Sequence, residues 1–108
     1  MKSLLPLGTI IRPKDETEEF MIIGYYPIDK NTNKLYDYIT CLYPIGITNE
    51  NHYLINNIDI ASIHFYGEQT PELADIRKEI MEIKKLRLAG KPDEEIIKYL
   101  EKIRNENL

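Results

Sequence analysis

LYDYITCLYPIG, residues 35–46, alternates aromatic and β-branched side chains and then stops at a proline and a glycine. Such a run suits a pleated, half-buried surface and ends where turn formers interrupt the ladder, so the chain reads as a folded β domain. Both parities of the run are apolar, Tyr36, Tyr38 and Leu42 alternating with Leu35, Ile39 and Cys41. The preceding run behaves alike, with Phe20, Ile22 and Tyr26 alternating with Met21, Ile23 and Tyr25. A sheet with one wet face does not show this pattern, so both faces are expected to be covered.

Outward from this stretch, short apolar runs predict strands over Leu7–Arg12, Phe20–Tyr26, Leu35–Tyr43, Tyr53–Ile55 and Ile58–Tyr66. Pro13 to Glu19 is a polar bend, and IDKNTNK, Ile28 to Lys34, is rich in the Asp and Asn that favour tight turns, which closes a hairpin. A second polar turn covers Thr48 to His52. From Thr70 the apolar spacing becomes helical. Thr70-Pro71 suits a helix start, Gly90 a helix end, and Leu73, Ile76, Ile80 and Ile83 form one stripe with Met81 and Leu88 beside it. Lys91-Pro92 restarts the chain, and Asp93, Glu94 and Glu95 place negative charge at the positive end of a second helix striped by Ile96, Leu100 and Ile103. The short link makes an αα-hairpin. The expected fold class is therefore α+β: a small, strongly bent antiparallel sheet or partly open barrel of 4 to 5 strands, followed by a C-terminal αα-hairpin. The length of 108 residues leaves room for a single domain, 1–108, with a β part (1–69) and a helical hairpin (70–108).

Charge narrows the function classes. Residues 1–69 carry five Lys/Arg against nine Asp/Glu and residues 70–108 nine of each, which accounts for the net charge of −4. Neither part offers the basic surface that phosphate backbones or anionic lipid require, so nucleic acid and membrane surfaces are not the expected partners. The first residues, MKSLLPLGTII, are interrupted by Pro6 and Gly8 and carry no cleavage signature, so they do not read as a signal peptide. No run approaches the roughly 18 to 20 apolar residues of a membrane helix. A cytoplasmic location is expected.

The chemical inventory is thin. Cys41 is the only cysteine and sits in an apolar strand, where a small buried thiol is the simplest reading. His52 and His64 have no Cys or carboxylate at ligand spacing, so no metal site is expected, and no glycine-rich loop suggests a phosphate or a cofactor. Cys41, Ser3 and Ser62 lie in no recognisable nucleophile turn, so no catalytic residue is named and an enzyme is not expected. Glu94 with Lys98 and Glu82 with Lys85 are helical pairs worth about 0.2 to 0.5 kcal/mol each.

What remains is contact. Seven of the eight tyrosines lie between Tyr25 and Tyr66. Tyrosine suits core rims and protein interfaces alike; for any single one the core or rim is the simpler reading. Their crowding on strands nominates Tyr25, Tyr36, Tyr38 and Tyr43 for a partner-binding patch, with Asp37 as a polar rim residue setting register. Met81 and Leu88 lie off the main helical stripe and are nominated as a second surface for a partner helix. A homodimer through the helical hairpin stays open.

LPLGTII (Leu5 to Ile11), EFMIIGYY (Glu19 to Tyr26), YDYITCLYPIG (Tyr36 to Gly46) and INNIDIASIHFYGE (Ile55 to Glu68), in that order and spacing, resemble the family called domain of unknown function 4176. The resemblance runs from Leu4 to about Glu68, and its most specific piece is YDY followed by the Tyr43-Pro44-Ile45-Gly46 turn. It implies a small accessory protein associated with type VII secretion and LXG toxins in Gram-positive bacteria: an adaptor, chaperone or targeting factor. The expected partner is a secreted effector or its helical export region. The alternative is an immunity protein that binds a toxin domain directly. The resemblance carries no catalytic residues and no cofactor.

Overall fold

The computed structural model describes residues 4–48, 52–68 and 73–106, with side chains described over 4–48, 52–68 and 81–104. The described residues form an α+β fold in the order β1 (Ile10–Pro13), β2 (Glu19–Tyr25), β3 (Ile28–Asp29), β4 (Lys34–Leu35), β5 (Tyr38–Tyr43), β6 (Tyr53–Ile55), β7 (Ile60–Phe65), α1 (Leu73–Leu88) and α2 (Asp93–Glu106). Contacts divide the chain into two compact units. One holds Met1–Pro27 with Tyr36–Gln69, and the other holds Ile28–Leu35 with Thr70–Leu108.

The first unit is an open five-stranded antiparallel sheet in the order β6-β5-β2-β1-β7. Register explains its core. Ile11 faces Phe20, Phe20 faces Leu42, and Ile22 faces Thr40, so the side chains of one parity meet on one face. Ile11, Phe20, Ile22, Tyr38 and Ile55 form the buried cluster there, with Leu4, Leu5, Tyr25, Leu42, Ile60 and Ile63 packed against it. The other parity sets Ile10, Met21 and Cys41 side by side on the opposite face, and Ile10 and Cys41 are buried as well. The two-sided burial expected from the alternation is present at these positions.

Bounds differ from expectation at three places. The segment ahead of β1 turns at Leu7–Gly8 instead of running straight, and Gly8 donates to Ile22 O at 2.8 Å while Thr9 O accepts from Ile22 N–H at 2.9 Å. Between β6 and β7, Asn57–Asp59 winds into one 3₁₀ turn, so β7 begins at Ile60. The long third strand expected over Leu35–Tyr43 is split at Tyr36 and Asp37.

The split falls at the unit boundary, with β4 in the second unit and Tyr36, Asp37 and β5 in the first. β3 and β4 form a two-residue ribbon, Ile28 facing Leu35, and the ribbon belongs with the helices. Leu35 N–H donates to Asp93 Oδ2 at 3.3 Å, so the first carboxylate of α2 holds the ribbon backbone. Among the described residues, Leu35, Ile83, Ile96, Ile97 and Leu100 are the second unit's buried apolar side chains. Gly90 ends α1 as expected, at φ +76°, with Gly90 N–H bonded to Arg87 O and Lys91 N–H to Leu86 O, both at 3.0 Å. This paired closure needs a left-handed residue, which glycine supplies without steric cost. The start expected at Thr70-Pro71 and the side chains of Ile76 and Ile80 lie outside the described residues.

Candidate functional site

The YDY stretch is an internal brace. Asp37 N–H donates to Asn56 Oδ1 at 2.9 Å, and Asp37 Oδ2 accepts from Asn57 N–H at 2.8 Å. Tyr38 O–H donates to Asn57 Oδ1 and accepts from Leu5 N–H at 2.9 Å. Tyr25 O–H reaches Leu5 O at 2.5 Å, and the Tyr25 and Tyr38 rings lie 6.1 Å apart. The network ties the amino-terminal segment, the start of β5 and the 3₁₀ turn together through part-buried polar groups.

Burial therefore decides what these residues offer. Tyr38 is fully buried and Asp37 is 9% exposed, so neither presents the patch or rim surface the sequence nominated; β5 lies between β2 and β6, and Tyr38 faces Tyr25 and Ile55. Tyr25 and Tyr36 are half-buried. Burial also pushes the Tyr38 phenol up to about 12 from 10.0, and raises that of Tyr25. The folded state thus holds the Tyr38 proton more tightly than the unfolded chain does. That stability is fully present below pH 10 and is lost as pH rises through the folded value, a loss on the order of 2 kcal/mol. Denaturant titrations from pH 8 to about 12 are expected to show this alkaline limb in the wild type and a shallower one in Tyr38→Phe.

Exposed apolar side chains gather elsewhere in the first unit. β5 ends in a tight turn in which Leu42 bridges Gly46 and Gly46 N–H donates to Leu42 O at 2.7 Å, with a cis bond between Tyr43 and Pro44. Gly46 adopts φ +83°, which closes the turn and leaves its tip outward. Tyr43 is 40%, Ile45 64% and Ile47 56% exposed. Of the residues nominated from sequence, Tyr43 alone lies in this turn; Ile45 and Ile47 were missed, although three apolar residues around a Pro-x-Gly turn were a readable signal. Further exposed apolar residues are Leu7, Tyr53, Ile58, Phe65 and Tyr66. In the second unit Met81 and Leu88 are both exposed, and their seven-residue spacing puts them on one face of α1.

Polar chemistry is sparse. His64 Nδ1 lies 3.5 Å from Glu19 Oε2 across the sheet; the His64 side chain is exposed, Glu19 is half-buried, and its Oε2 is shielded from solvent with no hydrogen-bond donor. Cys41 is buried and free. Among the described residues no three His, Cys, Asp or Glu side chains are grouped as a metal site, and no helix is long and apolar enough to cross a membrane.

An open antiparallel sheet braced by buried Asp37 and Tyr38 and accompanied by a ribbon-and-helix unit defines a small α+β protein that leaves several large apolar side chains exposed on turns and strands. The model of the family described as Domain of unknown function (DUF4176) matches residues 4–76, and the chain belongs to that family. The match covers the whole five-stranded sheet and the β3–β4 ribbon and extends into α1. No curated protein and no solved structure matches the chain.

Proposed function

We propose that this protein is a noncatalytic cytoplasmic adaptor or chaperone that holds a type VII secretion effector of the LXG kind before export. The observation that carries the reading is the outward Tyr43, Ile45 and Ile47 around the turn after β5, large apolar side chains that the sheet itself leaves in water. Covering apolar area contributes about 25 cal/mol per Å2, and exposed apolar clusters of this sort mark contact sites. An amphipathic helix from the effector's export region would cover the turn, and Met81 and Leu88 on α1 offer a second apolar face for the same class of partner. A specific complex of this type buries on the order of 1,200 to 2,000 Å2.

The test is co-purification of the full chain with a genomically neighbouring effector. Ile45→Asp combined with Ile47→Asp is expected to lower capture at least tenfold, with the melting temperature close to wild type because both side chains already face water. Undiminished capture would remove the turn from the interface. The acidic excess of residues 1–69 supports a second reading, an immunity protein that covers a basic, nucleic-acid-degrading toxin domain. Truncated effectors separate the two: an adaptor requires the export region, an immunity protein only the toxic domain.

A further inference from the structure

The outer edge of the sheet is asymmetric in a way that points to a second contact, independent of the apolar turn. One edge is β6, three residues long, which leaves little ladder for another chain to extend. The other is β7, six residues, IASIHF, paired with β1 on one side and with no strand on the other among the described residues. Natural sheets blunt such an edge with bulges or with side chains, the latter being Lys, Pro or inward charges, and of the side-chain kind β7 is free. None occurs between Ile60 and Gly67, where no Asp, Glu, Lys or Arg stands. The strand is also open to solvent: Ala61, Ser62 and His64 are exposed, Phe65 is 57% exposed, and Tyr66 beyond it 62%.

We propose that β7 pairs antiparallel with β7 of a second copy of this chain, joining two five-stranded sheets about a two-fold axis. Three features select a second copy as the occupant. Antiparallel self-pairing is isologous, so it uses the long edge of both copies and leaves only the short β6 edges outside, whereas β7 on β6 would continue from copy to copy. Two copies of a chain with net charge −4 repel, and this register brings Asp59 of one copy beside Glu68 of the other at each end of the ladder, but the paired residues Ile60–Tyr66 carry no formal charge, so the repulsion falls at the ends of the contact and weakens as salt is raised. Pairing centred on Ile63 also sets Tyr66 against Ile60 of the other copy, the aromatic and β-branched combination that stabilises strand pairs, and Phe65 against Ala61. The register shifts against β1, which leave His64 and Ala61 without partners there, add twist to the strand; once β7 has paired with β7 of the other copy, neither copy has a free β7 edge left to extend.

Sedimentation of the full chain from about 1 to 300 µM is expected to show a reversible monomer–dimer equilibrium with micromolar dissociation. Ala61→Lys with Phe65→Lys, two exposed positions that the pairing sets opposite each other, should weaken it at least tenfold with an unchanged circular dichroism spectrum. Geometry is tested without altering the outer charge. Ser62 of one copy stands opposite His64 of the other, so in a Cys41→Ser background a Ser62→Cys chain mixed with a His64→Cys chain should form an intermolecular disulfide under mild oxidation, and cysteine placed at the exposed Leu88 should not. A monomer at every concentration overturns the proposal, as does dimerisation that survives the lysine pair or cross-links equally at Leu88. If the lysine pair fails to fold, the cross-linking arm decides alone. Protection of the Ile60–Phe65 amides only when an effector is added would assign the edge to a foreign strand and equally overturn self-pairing.

Discussion

Gly67→Ala is expected to destabilise the protein by about 3 kcal/mol or more, enough to deplete the folded state of a small domain. A Cβ at Gly67 would stand 2.1 Å from Leu7 O and 2.9 Å from both Leu7 C and Thr9 N. All three are backbone atoms, so no rotamer change relieves the clash; the segment itself must move. It is poorly placed to do so. Gly67 N–H donates to Thr9 Oγ1 at 2.9 Å, Thr9 is fully buried, and Gly8 and Thr9 are both bonded to Ile22 in β2. Displacing the end of β7 therefore strains β1 and β2 together. Gly46→Ala is the internal control: Gly46 has φ +83° but nothing within 4 Å of an added methyl, so only left-handed strain of about 1 kcal/mol is expected. Urea unfolding of the two variants measures the difference; equal, small losses would show that the approach of Gly67 to Leu7 is looser than these distances.

Much of this arrangement was legible locally. The runs Glu19–Tyr25 and Tyr38–Tyr43 read as strands because they are short, β-prone and apolar at both parities, the mark of a strand covered on both faces, whereas their place in the middle of the sheet depends on partners distant in sequence. Gly90 and the acidic start of α2 were equally readable, since helix ends depend on nearby residues alone. The tyrosine assignments required more than parity. Tyr36 and Tyr38 are two apart, yet Tyr36 and Asp37 lie outside both β4 and β5, so counting along the chain does not carry one side chain's face to the next. Tyr26 turns left-handed at φ +52°, another interruption that a bulky side chain does not advertise. Residues 28–34 read as an ordinary turn and Leu35 as the start of the next strand, because the group that claims this backbone, Asp93, is 58 positions from Leu35. The buried brace was hidden for the same reason: Asn56 and Asn57 look like turn formers until Asp37 and Tyr38 are placed beside them.

Tyr38→Ala is expected to cost about 3 to 5 kcal/mol, the range for removing a large buried aromatic ring. The ring is fully enclosed in the Ile11, Phe20, Ile22 and Ile55 cluster, so its loss leaves a cavity in the middle of the sheet. The hydroxyl adds a second contribution. Without it Leu5 N–H loses its acceptor and Asn57 Oδ1 its donor, both in part-buried positions, and Tyr38→Phe alone should cost about 1 to 3 kcal/mol. Chemical unfolding of the two variants separates ring from hydroxyl. The pair also bears on how binding is tested: a partner lost in Tyr38→Ala would report unfolding, whereas Tyr38→Phe keeps the ring and should leave capture unchanged. Residues on the outward turn behave in the opposite way, since Ile45→Asp and Ile47→Asp touch no core contact and can change binding at constant stability. If Tyr38→Phe abolishes capture while remaining folded, the hydroxyl network positions the binding surface as well as the amino-terminal segment, and the brace and the turn act as one device.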